Sequence, residues 1–407
     1  MKSIMVKNRW AGTIIAGILT ALLLISACGP SPTEPTGKKI VEIGDITPIT
    51  GPVSSSEQGS LMALQDYVRY FNEEIGIPDV TIELTWVDNA NELSRFISSY
   101  RRFIARGIPV LHSNYTPGLE ALKSDFEKDQ IPVVPGVTMG LLVYPPGWIY
   151  CSFPTFGEAS TSVIDYFMEN WKEDRPPRLA YIGIESPFGR EPAAEGTKYA
   201  ESIGMEVLPL EIVPYVVIDS TSQLLRLKER GADLVYLQLL QPGMGPILKD
   251  ADRLGILDDM QFSGNEFGLG DKLIQMAGPA SEGFLAPRST PWFDELEVPG
   301  IELINDVQMK YHGKLFQEPT YMGGWCVAAI ICEAIKIAIE EVGYENIDGL
   351  AIKEAMDTMK DFNINDLVTI SYSEEQRRGS RMAATYEIRD GKIVRVSDWR
   401  EAPILVP

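Results

Sequence analysis

The sequence predicts an α/β protein built from two lobes, each with a parallel sheet covered by helices. Short β-branched or apolar segments alternate with amphipathic helical segments along most of the 407 residues. The alternation occurs twice, and a stretch rich in proline and aromatic residues, 144–156, separates the two series. A hydrophobic fraction of 45% is enough to give each lobe a core.

The first strand, turn and helix, residues 41–74, set the pattern for the rest of the chain. Val41–Ile46 is a β-branched run that a cluster of proline and glycine ends. An amphipathic helix is predicted from about Glu57, because apolar residues recur on one face. Ligands of open parallel sheets bind beyond the carboxyl ends of the strands, so the loop Thr47–Ser56 is a candidate binding loop. The serines of this loop alternatively serve only as helix caps.

The same alternation continues through the first lobe. The predicted segments are strand Val80–Val87, helix Glu92–Arg106, strand Ile108–His112, a helix from the loop Ser113–Pro117 to Lys128, and strand Ile131–Val134. Strands that alternate with helices favour a parallel, doubly wound sheet. The strand exits after Ile46, His112 and Val134 are therefore expected along one edge.

A second series of alternating segments predicts the second lobe. Its helices are expected at 160–171, 191–203, 222–230 and 247–254, and its strands at 178–185, 205–213, 232–239 and 260–263. The loops that follow its strands are Ser186–Arg190, Gln238–Gly243 and Gly264–Gly268. They hold the polar and aromatic side chains that a small-molecule site needs.

The last third of the chain is predicted to return to both lobes. Helices are expected at 301–312, 322–342 and 347–359, and strands at 367–372, 382–388 and 392–396. The helix Met322–Val342 is strongly apolar, but its four charged residues favour a buried core helix over a membrane span. Asp390-Gly391 between the last two strands predicts a hairpin.

Residues 1–27 have the features of a secretory signal peptide. Lys2, Lys7 and Arg9 precede the uncharged apolar run Trp10–Ile25, which is too short for a typical membrane span. The formal net charge is −21, and removing these three basic residues leaves about −24. Such an acidic protein is a poor partner for nucleic acid.

Cysteine and histidine usage predicts neither a metal site nor a cofactor. The chain has four cysteines without a CxxC pair and only two histidines, so a zinc site is not expected. Cys326 and Cys332 are six residues apart in one predicted helix, too far apart to bridge. The mature chain can therefore form at most one disulfide, and that disulfide would include Cys151.

The tetrapeptide Ile25-Ser26-Ala27-Cys28 resembles the lipobox of bacterial lipoproteins. That resemblance implies cleavage before Cys28 and a lipid on its sulfur, whereas an ordinary signal with an incidental cysteine is the alternative. Residues 28–37 are rich in proline, glycine, serine and threonine, which suits a flexible tether. Membrane attachment would then depend on the lipid and not on surface charge.

With both lobes laid out, residues 38–396 resemble the branched-chain amino-acid (leucine/isoleucine/valine) type of periplasmic binding protein, the type I solute receptors of ABC importers. The resemblance rests on ordered segments, among them VEIGDITPITGP, GIPVLHSNYTPGLEAL, LAYIGIESPFGREPA and SGNEFGLGDKLIQMAGPASEGFLA. It implies two Rossmann-like lobes joined by a three-crossover hinge. We expect 38–152 with 285–345 to form lobe 1, and 153–284 with 346–407 to form lobe 2.

The resemblance also implies site residues. Family members that bind amino acids hold the α-carboxylate at the third and fourth strand exits, here Tyr115, Thr116 and Thr138. An acidic residue after a late strand of lobe 2 pairs with the α-ammonium, here Glu266, and an aromatic residue of the S-P-[FY]-G loop lines the cleft, here Phe188. Trp292 is a further candidate for an aromatic wall. Tyr115-Thr116 stands where the family usually has Ser-Ser. A phenol at this position takes up space and changes the hydrogen bonding, so the resemblance does not imply a leucine-like ligand specificity.

The function that this resemblance implies is an extracytoplasmic, lipid-anchored receptor that binds a small amino acid or related molecule. It would act as a monomer in the cell envelope and deliver its ligand to the transmembrane permease subunits of an ABC importer. The two lobes would close on the ligand by a hinge motion. Two alternatives remain: a lipoprotein that senses the ligand for a receptor, and a receptor for an amide, urea or an aromatic acid.

An enzyme is not expected. The sequence contains no GxSxG, HExxH, P-loop or GxGxxG motif. His112 follows a predicted strand and is a conceivable general base, but a structural histidine is the preferred interpretation. Acid/base chemistry by the many carboxylates stays open, since no pair of them is recognisable in the sequence.

Overall fold

The computed structural model describes residues 39–51 and 54–406. The predicted signal peptide, Cys28 and the tether lie outside the described residues. The helices are α1 Ser54–Tyr70, α2 Leu93–Arg106, α3 Thr116–Lys128, α4 Gly140–Val143, α5 Phe156–Asn170, α6 Pro187–Ser202, α7 Thr221–Glu229, α8 Gln241–Arg253, α9 Asp271–Ala277, α10 Pro299–His312, α11 Pro319–Val342 and α12 Gly349–Thr358. A π-helical turn, Phe71–Ile75, continues α1, and 3-10 turns lie at Glu266–Gly268, Gly278–Ser281 and Tyr344–Asn346.

The strands belong to two main sheets, as the alternation of segments predicted. They are β1 Lys39–Thr47, β2 Val80–Asp88, β3 Val110–His112, β4 Arg178–Ile184, β5 Glu206–Val207, β6 Glu211–Val213, β7 Leu234–Gln238, β8 Gln261–Gly264, β9 Leu285–Arg288, β10 Phe362–Asn363, β11 Thr369–Ile370, β12 Met382–Arg389, β13 Lys392–Arg395 and β14 Arg400–Glu401. The two-lobed α/β arrangement is confirmed.

The first sheet has the order β2-β1-β3 and is parallel throughout. Its central strand β1 pairs with β2 over its full length, from Lys39 opposite Val80 to Thr47 opposite Asp88. Because helices cover both faces, most of β1 is buried and its sequence is a nearly continuous apolar run.

The second sheet has the order β13-β12-β9-β8-β7-β4-β5, with β6 also paired to β4 and β14 to β12. The strands from β9 to β5 run parallel, and β12 joins β9 in the antiparallel direction. The hairpin predicted at Asp390-Gly391 joins β12 and β13, with φ angles of 52° and 69°. Both residues thus adopt the left-handed conformation that a type I′ turn requires.

Two predicted strands are shorter than expected, and proline explains both. The segment Ile131–Val134 is reduced to a bridge in which Val133 pairs with Leu111 and Ile149. Pro132 has no N–H to donate, so the segment cannot form a continuous ladder of hydrogen bonds with its neighbours. The strand predicted at 205–213 is divided into β5 and β6 on either side of Pro209.

The helix α11 forms the centre of the core beside the first sheet. By length and composition it would suit a membrane span, but 78% of its most apolar stretch is buried inside the protein. It packs closely against α1, since a Cβ added at Gly324 would lie 2.5 Å from the carbonyl oxygen of Ser60. This is the core helix that the sequence predicted.

The connections between the sheets run side by side. Cys151 donates its N–H to the carbonyl of Arg377, and the carbonyl of Cys151 accepts from Gly379. The assignment of segments to the lobes stays a prediction. Leu285–Arg288, expected in lobe 1, pairs with β8 and β12 of the second sheet.

Candidate functional site

A cavity of about 120 Å³ lies where the carboxyl ends of both sheets face each other. Loops that follow strands of the first sheet form one wall, and loops that follow β4, β6, β7 and β8 form the other. This is the position at which parallel sheets bind ligands. The lining residues are Pro48, Glu57, Asn91, Asn114, Tyr115, Thr116, Pro117, Val137, Phe156, Ser186, Phe188, Tyr215, Leu240 and Phe267.

Tyr115 and Thr116, two predicted site residues, lie in the wall formed by the first sheet. Tyr115 immediately precedes α3, and its hydroxyl donates to the backbone carbonyl of Asn91 at 3.2 Å. Burial raises the pKa of Tyr115, and since its hydroxyl proton is engaged by Asn91, the oxygen faces the cavity as an acceptor. Thr116 begins α3, whose second residue, Pro117, has no N–H, and the Gly118 N–H donates to the Tyr115 carbonyl, so the N–H and hydroxyl of Thr116 are the candidate donors of this first turn.

Phe188, a third predicted residue, lies in the opposite wall. The Ser186 hydroxyl accepts from the Gly189 N–H and caps α6, which places Phe188 in the first turn at the cavity. Its ring meets the ring of Phe156 edge to face, with centroids 5.1 Å apart. Phe267 contacts the same Phe156 ring at 6.1 Å, so three aromatic rings are adjacent.

Thr138 and Trp292 do not line the cavity. Thr138 follows the lining residue Val137 but is fully buried, and its Oγ1 has no hydrogen-bond partner among the described residues. Trp292 is buried beside Phe293 and under the guanidinium of Arg288, 4.8 Å from its ring centroid. At Thr138 the neighbouring Val137 faces the cavity instead, whereas Trp292 and its chain neighbours all lie outside the lining.

Glu266 is also placed behind the cavity wall. Its Oε1 accepts from the backbone N–H of Ser289 and its Oε2 from the Ser289 hydroxyl, each at 2.9 Å. Burial raises the pKa of Glu266, while the charge of Arg288 and the two hydrogen bonds oppose that rise. The next residue in the chain, Phe267, lines the cavity instead. Direct contact between Glu266 and a ligand stays a prediction.

Sequence reasoning missed Glu57 as a site residue. It lies in the first turn of α1, is 9% exposed and lines the cavity. Asn114 donates to its Oε2 through a long contact of 3.4 Å. Burial raises the pKa of Glu57, and the hydrogen bond from Asn114 and the charge of His112 oppose the rise. Its position next to the candidate loop Thr47–Ser56 was the available signal.

Tyr215 was missed for a different reason. It follows β6 directly, but the sequence placed one strand across β5 and β6 and assigned no role to that exit. Partial burial and the charge of Glu57 raise the pKa of Tyr215 to about 12, although 42% of the residue is exposed, and both residues line the same cavity. Residues of both walls, Glu57 and Tyr215, therefore border the same space.

His112 has a structural environment. Its Nδ1 lies 2.6 Å from Oδ1 of Asp45, and both side chains are at most 1% exposed. Thr47 donates to the same aspartate oxygen at 2.6 Å. The pair ties the ends of β1 and β3 together behind Glu57, consistent with the structural interpretation of this histidine.

The described residues contain no group of three histidine, cysteine or acidic side chains arranged to hold a metal ion. In the same part of the chain Cys151, Cys326 and Cys332 are free and buried. The cavity's chemistry is thus that of amide, hydroxyl and aromatic groups around one carboxylate.

Comparison with known proteins gives a consistent result. Residues 40–392 match the family model described as periplasmic binding protein. The chain is 25% identical over 261 residues to the Leu/Ile/Val-binding protein homolog 1 of Brucella suis biovar 1 (strain 1330), covering 62% of this chain and 68% of the relative. It is 22% identical over 357 residues to homolog 3 of Brucella melitensis biotype 1, covering 87% and 93%.

Solved structures agree with this match. A branched-chain amino-acid ABC transporter protein from Thermus thermophilus, with bound valine, superposes with a TM-score of 0.83 at 25% identity, covering 91% of this chain and 98% of that one. A fatty acid ABC transporter substrate-binding protein from Thermomonospora curvata gives a TM-score of 0.80 at 19% identity, covering 91% and 95%. The latter likeness concerns the fold alone.

Proposed function

The chain belongs to the periplasmic binding protein family, and on that premise we propose that it is the lipid-anchored solute receptor of an ABC importer. The membership confirms the resemblance drawn from the sequence. The receptor captures a small amino acid or a related molecule in the cavity between its lobes and delivers it to the membrane permease.

The observation that carries the proposal is a cavity whose walls come from both sheets. Tyr115 and Thr116 contribute from one wall, and Phe188 and Tyr215 from the other. A ligand in this position contacts both lobes at once, so it stabilises the closed arrangement over the open one. A permease distinguishes loaded from empty receptor when the two differ in lobe position.

Ligand chemistry is supported by the same walls. The first turn of α3 begins at Thr116, and the partial positive charge of a helix N-terminus suits a carboxylate. The rings of Phe156, Phe188 and Phe267 suit an apolar side chain. The names of the Brucella relatives and the valine in the Thermus thermophilus structure support an amino acid as the first candidate.

Attachment to the membrane is the remaining part of the proposal. The lipobox-like tetrapeptide ending at Cys28 supplies the acylation site, and residues 29–37 supply the tether. The family supports an extracytoplasmic location. An acidic chain gains little from anionic lipid, so the acyl chains provide the anchor.

A thermal-shift screen of the purified protein tests the proposal. The compounds are aliphatic and aromatic amino acids, their amides, small aromatic acids and urea. A ligand at 100 times its dissociation constant adds about 2.7 kcal/mol to the unfolding free energy. We expect stabilisation by aliphatic or aromatic amino acids. Stabilisation by urea or aromatic acids alone would show that the ligand is not an amino acid. No shift of the melting temperature with any compound would contradict the assignment as a receptor for amino acids and related molecules.

A further inference from the structure

The cavity contains one carboxylate and no cation. Of its described lining residues, Glu57 alone is ionisable near neutral pH, and lysine, arginine and histidine are absent from the lining. The Glu57 side chain is more than nine-tenths buried, and its hydrogen bond from Asn114 is long, at 3.4 Å. A charge taken out of water in this way is unfavourable unless a positive group approaches it.

Aromatic side chains surround the same space. Tyr115 lies on the side of the first sheet, and Phe156, Phe188, Tyr215 and Phe267 lie on the side of the second. The faces of such rings attract cations, and aromatic cages recognise substituted ammonium groups. Glu57 is close enough to Tyr215 to act on it electrostatically, so the carboxylate and the rings border one compartment.

Glu266 is not equivalent to Glu57 in this respect. Ser289 already donates to both of its oxygens, and Arg288 supplies a nearby positive charge. A ligand ammonium would have to displace these partners to reach Glu266. Among the described residues Glu57 accepts only the long hydrogen bond from Asn114, and the nearby positive influence is that of His112, which does not line the cavity.

We infer that Glu57, together with Tyr115 and Tyr215, binds the positively charged group of the ligand, and that the ligand is a small amine or ammonium compound. This inference rests on the proposed function and specifies its ligand class. A simple carboxylic acid is disfavoured because its charge would face Glu57 without a compensating cation. A zwitterion fits when its carboxylate lies at the first turn of α3, beside Thr116.

The test compares compounds that differ in one charged group. Purified protein is titrated calorimetrically with L-valine, with 3-methylbutanoate, which lacks the ammonium, and with L-valinamide, which lacks the carboxylate. The series L-phenylalanine, 3-phenylpropanoate and phenethylamine repeats the comparison with a larger side chain. We expect every compound that binds to carry an ammonium group.

Three variants locate the interaction. Glu57→Gln keeps the side-chain shape without the charge and should raise the dissociation constant at least 30-fold. Glu266→Gln should change it less than threefold. Glu92→Gln removes an exposed charge that also acts on Tyr115 but does not line the cavity, so it serves as the matched control and should also stay within threefold.

The outcomes separate this inference from the proposed function. Binding of 3-methylbutanoate or 3-phenylpropanoate as tight as that of the matching amino acid would overturn the inference and leave the receptor in place. Amino-acid binding that Glu57→Gln leaves unchanged would do the same. Should Glu57→Gln not fold, Glu57→Asp replaces it, with a loss of at least threefold expected. No binding by any of the six compounds would overturn the inference together with the amino-acid receptor.

Discussion

Ser289 holds both carboxylate oxygens of Glu266, through its backbone N–H to Oε1 and its hydroxyl to Oε2, each at 2.9 Å. The serine follows β9, and the glutamate follows β8, so the contact joins the exits of two neighbouring strands. It also places a negative charge beside the buried Arg288, whose pKa is lowered by burial and raised again by Glu266. Within the described structure the glutamate thus has a stabilising function.

Glu266→Gln is therefore expected to act on stability. The amide weakens two charge-assisted hydrogen bonds from Ser289 and removes one of the two carboxylates that act on the buried Arg288, the other being Glu295, which should cost about 1.5–3 kcal/mol. The measurement is urea unfolding of the ligand-free variant. Glu185→Gln is the control, because Glu185 forms an exposed pair with Arg190 and should change stability by less than about 0.5 kcal/mol. A Glu266→Gln protein of unchanged stability but weakened amino-acid binding would restore the role predicted from the sequence.

Two adjacent glycines in α11 are expected to respond oppositely to alanine. A Cβ at Gly324 would lie 2.5 Å from the Ser60 carbonyl oxygen in α1, whereas a Cβ at Gly323 would lie 3.6 Å from the Phe267 ring. Gly324→Ala should cost about 2 kcal/mol by forcing the two helices apart. Gly323→Ala should be neutral or stabilise by up to about 1 kcal/mol, because alanine favours helix. Chemical denaturation measures the unfolding free energy of both variants. Equal changes would show that the close contact between α11 and α1 does not determine the cost of Gly324→Ala.

Glu195 is expected to make stability depend on pH. Burial and the charge of Glu158 raise its pKa from 4.5 to about 7, while the Gly140 N–H and Arg378 oppose the rise. Between these two values the folded protein retains a proton that the unfolded chain releases, so the unfolding free energy falls as pH rises from about 4.5 to 7. Glu195→Gln removes this loss and should be more stable than wild type by about 3 kcal/mol at pH 7.5, but not at pH 4. Parallel stability curves for the two proteins across this range would contradict the assignment.

The pair Arg378–Glu158 is expected to hold the C-terminal segment in place. Two guanidinium nitrogens lie 2.8 Å from the Glu158 oxygens, both side chains are at most 4% exposed, and Arg378 also donates to the carbonyl of Val406. Arg378→Met should lower the unfolding free energy by about 3–5 kcal/mol, because it leaves Glu158 buried without a partner. Its C-terminal residues should also become more sensitive to carboxypeptidase.

The control for this pair is Arg400→Met. Arg400 makes the same two-nitrogen contact with Glu169, but both side chains are more than a third exposed. The loss there should stay below about 1 kcal/mol. Equal losses in the two variants would show that burial does not determine the strength of these pairs.

Cys28→Ser tests the membrane anchor. The variant should lose acyl-chain labelling and appear in the soluble fraction of cells, because the thiol is the proposed site of lipid attachment. Cys151→Ala, which removes a buried cysteine instead, should remain labelled. Labelling of the Cys28→Ser protein would contradict the lipobox interpretation.

Much of the fold followed from local sequence patterns. The apolar run of β1 reflects burial on both faces, and the turn Asp390-Gly391 requires the positive φ values that it has. Such features depend on residues close in the chain, so periodicity and turn chemistry predict them. The resemblance to a known family added the expectation of a ligand site between the lobes and directed attention to Tyr115, Thr116 and Phe188, all of which lie at the cavity.

The direction of individual side chains depended on the tertiary structure. Glu266 follows a strand exit as expected, yet Ser289, 23 residues later, takes both of its oxygens. Glu57 lines the cavity because α1 begins beside the exit of β1, and Tyr215, which follows a strand of the other sheet, lines the same cavity. The sequence by itself determined most of the strands that end at the site, though not β6, since local patterns specify strands and loops. Only the tertiary structure decided that Glu266 is bonded to Ser289 while Glu57 lines the cavity, because these positions depend on partners brought from distant parts of the chain.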